Sequence, residues 1–182
     1  MQLFFFDTET SGFMQAGWRI IQLWAIYGFY DKDTGKFYPE RIINQYINID
    51  SEIHEWAFKV HGISKDQLKP FKKIDEYIKE LLAYIAKSDY VVCHNVDFDV
   101  PFLKKECEIV GTDFDRNSVK TFCTMKTKAV QDFMWEAKRP KLSDLHKKLF
   151  NKWFDDAHNA MADIEATKDC FLELVKRDII KL

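Results

Sequence analysis

Three short segments of this chain carry acidic and imidazole side chains of the kinds that bind divalent cations and move protons. Asp7 and Glu9 end an apolar run in the first segment, Asp99 lies in the second, and His158 and Asp163 lie in the third. Alternate residues of a β-strand point to the same side. Asp7 and Glu9 therefore face one site if the extended backbone continues that far.

Carboxylates in this number suit the hydrolysis of a phosphodiester. That reaction needs an attacking hydroxide, stabilisation of charge on phosphorus and help for the departing oxyanion, and two divalent ions roughly 3.5–4 Å apart supply all three. Mg²⁺ and Mn²⁺ prefer oxygen ligands. Acids gathered without a cation would repel one another and raise their own pKa values. We therefore expect metal ligation by four residues: Asp7, Glu9, Asp99 and Asp163.

His158 is the candidate general base, because an imidazole titrates near neutral pH and can take a proton from water. It precedes Asp163 by five residues. On one continuous helix that offset is about 140° of rotation. His158 is therefore expected in a loop or first turn, with Asp163 inside the helix, so that both reach one site.

The order of these segments resembles that of the DnaQ-like 3′→5′ exonucleases of the DEDDh type. This is the family of the proofreading epsilon subunit of bacterial replicative polymerase. The match consists of Asp7-x-Glu9, Phe98-Asp99 and the His-x-Ala-x-x-Asp of residues 158–163. Four further segments resemble family pieces: Arg19–Leu23, Ala57–Ile63, Thr121–Met125 and Lys141–Leu145. The likeness runs from about residue 3 to residue 174.

The resemblance implies a 3′→5′ exonuclease that uses two ions, with Asp7 bridging them and His158 as the base. It also implies contacts to the 3′-terminal nucleotide from Thr8, Thr10, Gly12, Phe13, Ala57, His61 and Phe98. A core or turn role for His61 is the alternative.

Several acids and histidines near these motifs have structural interpretations. The family places the metal ligand after the aromatic residue, which selects Asp99 and leaves Asp97 at a helix start. His94 is expected to form hydrogen bonds near a strand end. Asp155 and Asp156 are expected to cap a helix.

Composition predicts one globular domain over residues 1–182, with 47% hydrophobic and 31% charged residues. No apolar run approaches the roughly 20 residues that span a bilayer. The N-terminus lacks the features of a secretory signal, so cytoplasm is the expected location. Four widely spaced cysteines, without a C-x-x-C pair, are interpreted as core residues.

Charge is unevenly distributed although the net charge is only −2. Residues 101–152 hold 12 Lys/Arg against 7 Asp/Glu, and this window includes Lys138–Lys141 and Lys147-Lys148. The excess indicates either a solvated helix face or a strip that contacts phosphates near the acidic site.

The hydrophobic pattern predicts the order β-β-β-α-β-α-β-α, hence an α/β fold with a mixed sheet. The predicted strands are Gln2–Phe6, Ile20–Tyr30, Phe37–Ile49, Tyr90–Cys93 and Val119–Cys123. Predicted helices cover roughly residues 52–60, a segment from Phe71 to Ile85, 97–109, 125–136, 142–150 and 159–176. The resemblance implies a ribonuclease-H-like fold with a five-stranded sheet flanked by helices.

Other functions remain open at this stage. Single-stranded DNA is the expected substrate, and an RNA-trimming exoribonuclease of the same fold is the alternative. The segment from Phe4 to Thr10 superficially resembles a haloacid-dehalogenase-type phosphatase, but its second acid is Glu and residues 158–163 have no place there. A non-catalytic nucleic-acid-binding module is disfavoured because all five site residues are present. A DNA polymerase subunit is a candidate partner. The sequence shows no tail for tethering to a polymerase, which favours a free-standing enzyme. No membrane partner is expected.

Overall fold

A computed structural model describes residues 1–13, 17–135, 139–154 and 160–182. Five strands form one sheet in the order β3-β2-β1-β4-β5. The strands are β1 (Gln2–Thr10), β2 (Ile20–Asp31), β3 (Lys36–Tyr46), β4 (Tyr90–Cys93) and β5 (Thr121–Cys123). β1, β2 and β3 pair antiparallel, whereas β4 runs parallel to β1 and β5 parallel to β4. The predicted mixed five-stranded sheet is confirmed.

Helices cover both faces of the sheet. They are α1 (Glu55–His61), α2 (Lys65–Leu68), α3 (Asp75–Lys87), α4 (Val96–Ile109), α5 (Lys128–Met134), α6 (Leu142–Phe150) and α7 (Ala160–Lys176). Phe4 and Phe6 pack into one hydrophobic core with residues of α3 and α4, and Leu3 and Phe5 pack into a second core with residues of α6 and α7. This division follows from the alternation of side chains along β1. No helix in the described ranges is long and apolar enough to cross a membrane.

β1 is longer than the predicted strand, and this extension creates the site. It continues past Phe6, with Asp7 paired to Trp24 and Glu9 paired to Gln22 on β2. The register shifts only between Glu9 and Thr10. Asp7 and Glu9 therefore lie on an unbroken strand and project to the same side of the sheet.

The helix predicted at roughly residues 52–60 begins at Glu55. His54 is the N-cap, because its ring nitrogen accepts a hydrogen bond from the backbone nitrogen of Trp56 at 3.1 Å. Phe71 precedes α3 instead of opening it, and β3 stops at Tyr46. Periodicity locates such elements better than it locates their ends, which depend on local hydrogen bonds.

Two local features mark the starts of α2 and α4. A capping box opens α2, with reciprocal hydrogen bonds between Ser64 and Gln67. Helix α4 begins at Val96, so Pro101 is its sixth residue and lies beyond the first turn.

Candidate active site

The predicted acids meet beyond the carboxyl ends of two adjacent parallel strands, β1 and β4. Asp7 lies near the end of β1, and α4 begins three residues after β4 and carries Asp99 in its first turn. Helix α7 packs on β1 from the other face and brings Asp163, its fourth residue. The three acids line one cavity of about 470 Å³. Ligand sites of open α/β sheets form at such strand ends.

Asp99 is held against β1 by Thr8. Its Oδ1 accepts hydrogen bonds from the Thr8 backbone nitrogen at 3.0 Å and from the Thr8 hydroxyl at 2.8 Å. Both side chains are buried. These bonds fix the start of α4 relative to β1, so Thr8 positions an acid as well as lining the cavity.

Burial raises the pKa values of the acids, and repulsion between carboxylates raises those of Asp7 and Glu9 further. Burial raises the pKa of Asp7 well above its ordinary value, and Asp99, Glu9 and Asp163 raise it further. Burial also raises the pKa of Glu9 to about 8, with added repulsion from Asp163 and Asp99. The pKa of Asp99 rises to about 7 because burial outweighs its hydrogen bonds from Thr8. Without a cation, the cluster therefore retains protons near neutral pH.

The donor chemistry of this cluster fits divalent cations, since carboxylate oxygens that repel one another favour a positive ion between them. No group of three or more His, Cys, Asp or Glu side chains in the described ranges is placed so that it could hold a metal ion. Mg²⁺ is commonly held by only one or two carboxylates, with water and substrate phosphate completing its coordination. The cavity therefore suits ions whose coordination is completed by a substrate.

A second, smaller cavity of about 120 Å³ adjoins the first. It brings together Glu9 and six predicted nucleotide-contacting residues: Thr10, Gly12, Phe13, Ala57, His61 and Phe98. Phe98 lines both cavities and thus forms a shared wall. The sequence prediction grouped these residues, and the tertiary structure brings them to one cleft beside the acids.

His61 presents an unsatisfied polar atom at this cleft. Its Nδ1 accepts a hydrogen bond from the backbone nitrogen of Ile63 at 3.0 Å, whereas its buried Nε2 has no hydrogen-bond partner in the described part of the chain. Burial lowers the pKa of His61, and the Thr10 backbone partly opposes this. A neutral imidazole with one free ring nitrogen can form a hydrogen bond with a polar group of a ligand. The hydrogen bond between Nδ1 and Ile63 also gives His61 the turn role that was the alternative.

Gly12 is required by packing. A Cβ at this position would lie 2.6 Å from a ring atom of Trp18. The Thr10 hydroxyl donates to the Gly12 carbonyl at 2.9 Å, which closes the segment after β1. A larger residue at position 12 would therefore displace Trp18 or the rim of the smaller cavity.

Trp56 was missed by sequence reasoning. Its ring stacks on Phe13 with centroids 4.8 Å apart and planes 26° from parallel, and both residues line the smaller cavity. Phe13 is 57% exposed and Trp56 is 51% exposed. The available signal was an aromatic residue directly before Ala57, one of the residues expected to contact the terminal nucleotide.

The start of α6 closes the larger cavity from another side. Lys141, Ser143 and Phe154 line it, and Met125 after β5 contributes another wall. Lys141 lies within the basic window identified in the sequence, so part of that window borders the acids. The exposed cations farther along α6 belong to the same stretch of chain.

His94 has the structural role that was expected. Its Nε2 donates to the Pro140 carbonyl at 3.1 Å, and its Nδ1 accepts from the Thr124 hydroxyl at 2.8 Å. Burial lowers the pKa of His94 to about 4, so the ring is neutral. It joins the ends of β4 and β5 to the segment before α6. Asp97 lies on the surface and forms ion pairs with Arg116 and Lys126.

The predicted base, His158, lies outside the described residues, as do Asp155 and Asp156. Its assignment remains a prediction from the sequence. The helix that carries Asp163 does begin directly after that segment, at Ala160.

The sheet order, with helices on both faces and an acidic cavity at the ends of β1 and β4, places the domain in the ribonuclease-H-like class of folds. The chain belongs to the RNase_T family (Exonuclease), whose model matches residues 4–171. The predicted membership in a family of exonucleases is thereby confirmed.

Curated relatives include DNA polymerase III subunits epsilon. One from Buchnera aphidicola subsp. Baizongia pistaciae is 27% identical over 86% of this chain and 64% of its own length. One from Rickettsia typhi is 35% identical over 57% of this chain and 43% of its own length. This chain therefore spans less than two thirds of these relatives.

Solved structures support the same fold. E. coli Exonuclease I in complex with a dA16 oligonucleotide superposes with a TM-score of 0.78 over 96% of this chain and 41% of that chain, at 17% identity. The ribonuclease-H-like fold is confirmed.

Proposed function

We propose that this chain is a metal-dependent 3′→5′ exonuclease that releases nucleoside monophosphates from single-stranded DNA. The observation that carries this proposal is the pair of adjoining cavities with Phe98 as their shared wall. One cavity contains acids suited to cations and phosphate, and the other contains aromatic and small side chains suited to a nucleoside. A terminal nucleotide in the smaller cavity would present its phosphate to the acids.

Two divalent ions, Mg²⁺ or Mn²⁺, would be held by Asp7, Glu9, Asp99 and Asp163. When bound, such ions stabilise the charge that develops on phosphorus and on the leaving oxygen. With the ions bound, the raised pKa values of these carboxylates would fall, since a neighbouring positive charge favours the ionised form.

The remaining roles belong to side chains of the two cavities. His158 would accept a proton from the attacking water. Phe13 and Trp56 would contact the terminal base, while His61 and the segment from Thr10 to Gly12 would contact its sugar and 3′ hydroxyl. Thr8 would hold Asp99 in place through its two hydrogen bonds.

DNA is favoured over RNA because the relatives are named as DNA polymerase subunits and the structural neighbour was solved with a DNA oligonucleotide. A DNA polymerase subunit is the corresponding partner, and a cytoplasmic location accords with both. An RNA-trimming exonuclease is the alternative. The family match over residues 4–171 disfavours a phosphatase.

The test uses single-stranded DNA and RNA of matched sequence, labelled at either end and incubated with Mg²⁺ or Mn²⁺. We expect stepwise shortening of DNA from the 3′ end, nucleoside monophosphates as product and a higher initial rate on DNA than on RNA. Excess EDTA should abolish the reaction, and added Mg²⁺ should restore it.

Undiminished degradation in EDTA, or shortening from the 5′ end, would contradict the proposed activity. A higher initial rate on RNA would overturn only the DNA preference. Covalent phosphate on Asp7 after acid quenching would instead favour the phosphatase alternative.

A further inference from the structure

A surface on and beside α6 combines exposed tryptophans with lysines. We define this α6 surface as Trp135, Lys147, Lys148 and Trp153. Trp135 is 91% exposed and Trp153 is 53% exposed. The Lys147 ammonium lies 4.1 Å from the centre of the Trp153 ring, and the Lys148 ammonium lies 5.7 Å from that of Trp135. Each tryptophan is thus paired with a cation.

The position of Trp153 is fixed by the end of α6. Asn151 adopts a left-handed backbone with φ of 55°, and its nitrogen donates to the Lys147 carbonyl at 2.8 Å. His146 Nδ1 donates to the Lys152 carbonyl at 3.0 Å. These bonds turn the chain back along α6, which brings the Trp153 ring beneath Lys147.

Lys148 fixes the other half of the surface. Its ammonium donates to the Phe133 carbonyl at 2.5 Å and lies 4.8 Å from the centre of the Phe133 ring. This contact ties α6 to the end of α5, where Trp135 follows. Each tryptophan therefore lies beside one of two adjacent lysines.

The α6 surface is continuous with the acidic cavity. Phe154, the next residue after Trp153, lines that cavity, and its ring lies 5.2 Å from that of His146. Ser143 also lines the cavity, and Lys147 lies one helical turn farther on the same face. A chain leaving the cavity along this face of α6 meets Lys147 and Trp153 next.

Several cations on this side lack a carboxylate partner in the described part of the chain. Five cations form no ion pair with a carboxylate among the residues described here: Arg139, Lys141, Lys147, Lys148 and Lys152. In the same sequence window, by contrast, Lys126 and Arg116 form ion pairs with Asp97. Unpaired cations beside exposed rings favour an anionic partner that also has flat surfaces.

We infer that the α6 surface binds the single-stranded nucleic acid upstream of the scissile bond, with unpaired bases stacked on Trp153 and Trp135 and phosphates at Lys147 and Lys148. This inference rests on the proposed function for its 3′ end, and it extends the substrate from one terminal nucleotide to a strand. Stacking rings beside cations are the usual means of binding single strands without sequence preference. A duplex is disfavoured because its base faces are covered.

Binding is measured by fluorescence anisotropy of 5′-labelled dT15 in EDTA, where the strand is not degraded, over a range of salt concentrations. Trp153→Ala should weaken binding about tenfold, the order expected for one stacked base. Lys147→Ala with Lys148→Ala should reduce the slope of log affinity against log salt by about 1.4, for two phosphates of a single strand. Trp153→Phe should retain most of the affinity because its ring can still stack.

The matched controls are Ile42→Ala, which is similarly exposed at 53%, and Lys79→Ala, an exposed lysine of α3. Both should bind dT15 like the parent protein. Hydrolysis of dT3 with Mg²⁺ should fall less than hydrolysis of dT15 in the α6-surface variants, since a trinucleotide contacts at most part of the surface. Circular dichroism checks that each variant is folded.

Parent-like binding of dT15 by folded Trp153→Ala and by the double lysine variant would overturn the inference. The α6 surface would then be interpreted as a surface that contacts another protein. Equal weakening by Trp153→Ala and Trp153→Phe would also overturn it, because stacking would not be the cause. Failure of the parent to hydrolyse dT3 would contradict the proposed function, while the anisotropy would still judge the α6 surface.

Discussion

The first turn of α4 carries two aspartates in opposite electrostatic settings. Asp97 is exposed, and its ion pairs with Lys126 and Arg116 lower its pKa, with the hydrogen bond from Lys126 as the largest cause. Asp99 is buried, and burial raises its pKa to about 7. The two residues differ by two positions, which is about 200° around a helix.

This comparison shows how a single turn separates a structural acid from a candidate ligand. The charge of Asp97 on the surface is neutralised by ion pairs within the chain, so this residue needs no added cation. The acid in the cavity, Asp99, accepts hydrogen bonds from Thr8 and lies near Asp7, and a cation would relieve the repulsion between these carboxylates. Unfavourable charge that persists in a folded cavity is an indication of function.

The largest expected effect comes from exchanging the two aspartates for asparagine. Asp99→Asn should lower single-turnover hydrolysis by at least about a hundredfold, since the loss of a ligand removes several kcal/mol of transition-state stabilisation. Asp97→Asn should retain most of the activity, because its side chain points to Arg116 and Lys126.

Thermal unfolding of both variants is the control for this comparison. Asp97→Asn should cost about 1 kcal/mol of unfolding free energy or less, as is usual for exposed ion pairs. Equal loss of activity in the two variants, with both folded, would show that the contrast across α4 has no functional meaning.

A second prediction compares the proposed metal ligand Asp163 with its neighbour His158, the proposed base. His158→Ala should lower the single-turnover rate by roughly 10²–10⁴-fold, as expected for a general base, with metal affinity largely retained. Asp163→Ala should weaken both metal binding and turnover. Calorimetry with Mn²⁺ and rapid-quench kinetics measure the two quantities for each variant.

Activity of the parent should also fall on acidification as the His158 imidazole gains a proton. A His158→Ala protein that loses its metal yet reaches the parental rate at saturating metal would identify His158 as a site-organising residue.

The smallest effect concerns stability against pH without metal. The pKa of Glu9 is about 8 in the folded protein, against an ordinary value of 4.5. The folded state therefore binds the additional proton between these values, and stability falls as pH rises through this window. We expect Tm in EDTA to drop by about 3 °C or more between pH 6 and pH 8 through this group.

Mg²⁺ and Glu9→Gln should each flatten that dependence, whereas Asp97→Asn should not, because its pKa is already below this window. Differential scanning calorimetry of the three proteins gives the slopes. If the Tm of Glu9→Gln falls with pH as steeply as that of the parent protein, the buried charge of Glu9 does not destabilise the folded state.

Local sequence determined much of this protein. The alternation of Phe4, Phe5 and Phe6 specifies a strand buried on both faces, and it carries Asp7 and Glu9 to one side because side chains alternate along extended backbone. The Ser64 capping box depends on contacts within a few residues, and the short apolar run Tyr90–Cys93 indicates a strand although its partner β1 is remote, so both could be predicted. The motif order was sufficient to predict the family.

Only the tertiary structure decided which groups meet. Asp97 and Asp99 have the same side chain, and their pKa values shift in opposite directions because Lys126, which is remote in sequence, donates to Asp97 while the packing of α4 against β1 buries Asp99. The stacking of Trp56 on Phe13 and the approach of Trp153 to Lys147 likewise depend on how loops fold back onto helices. Burial and charge in a cavity are sums over distant segments, and no local pattern contains them.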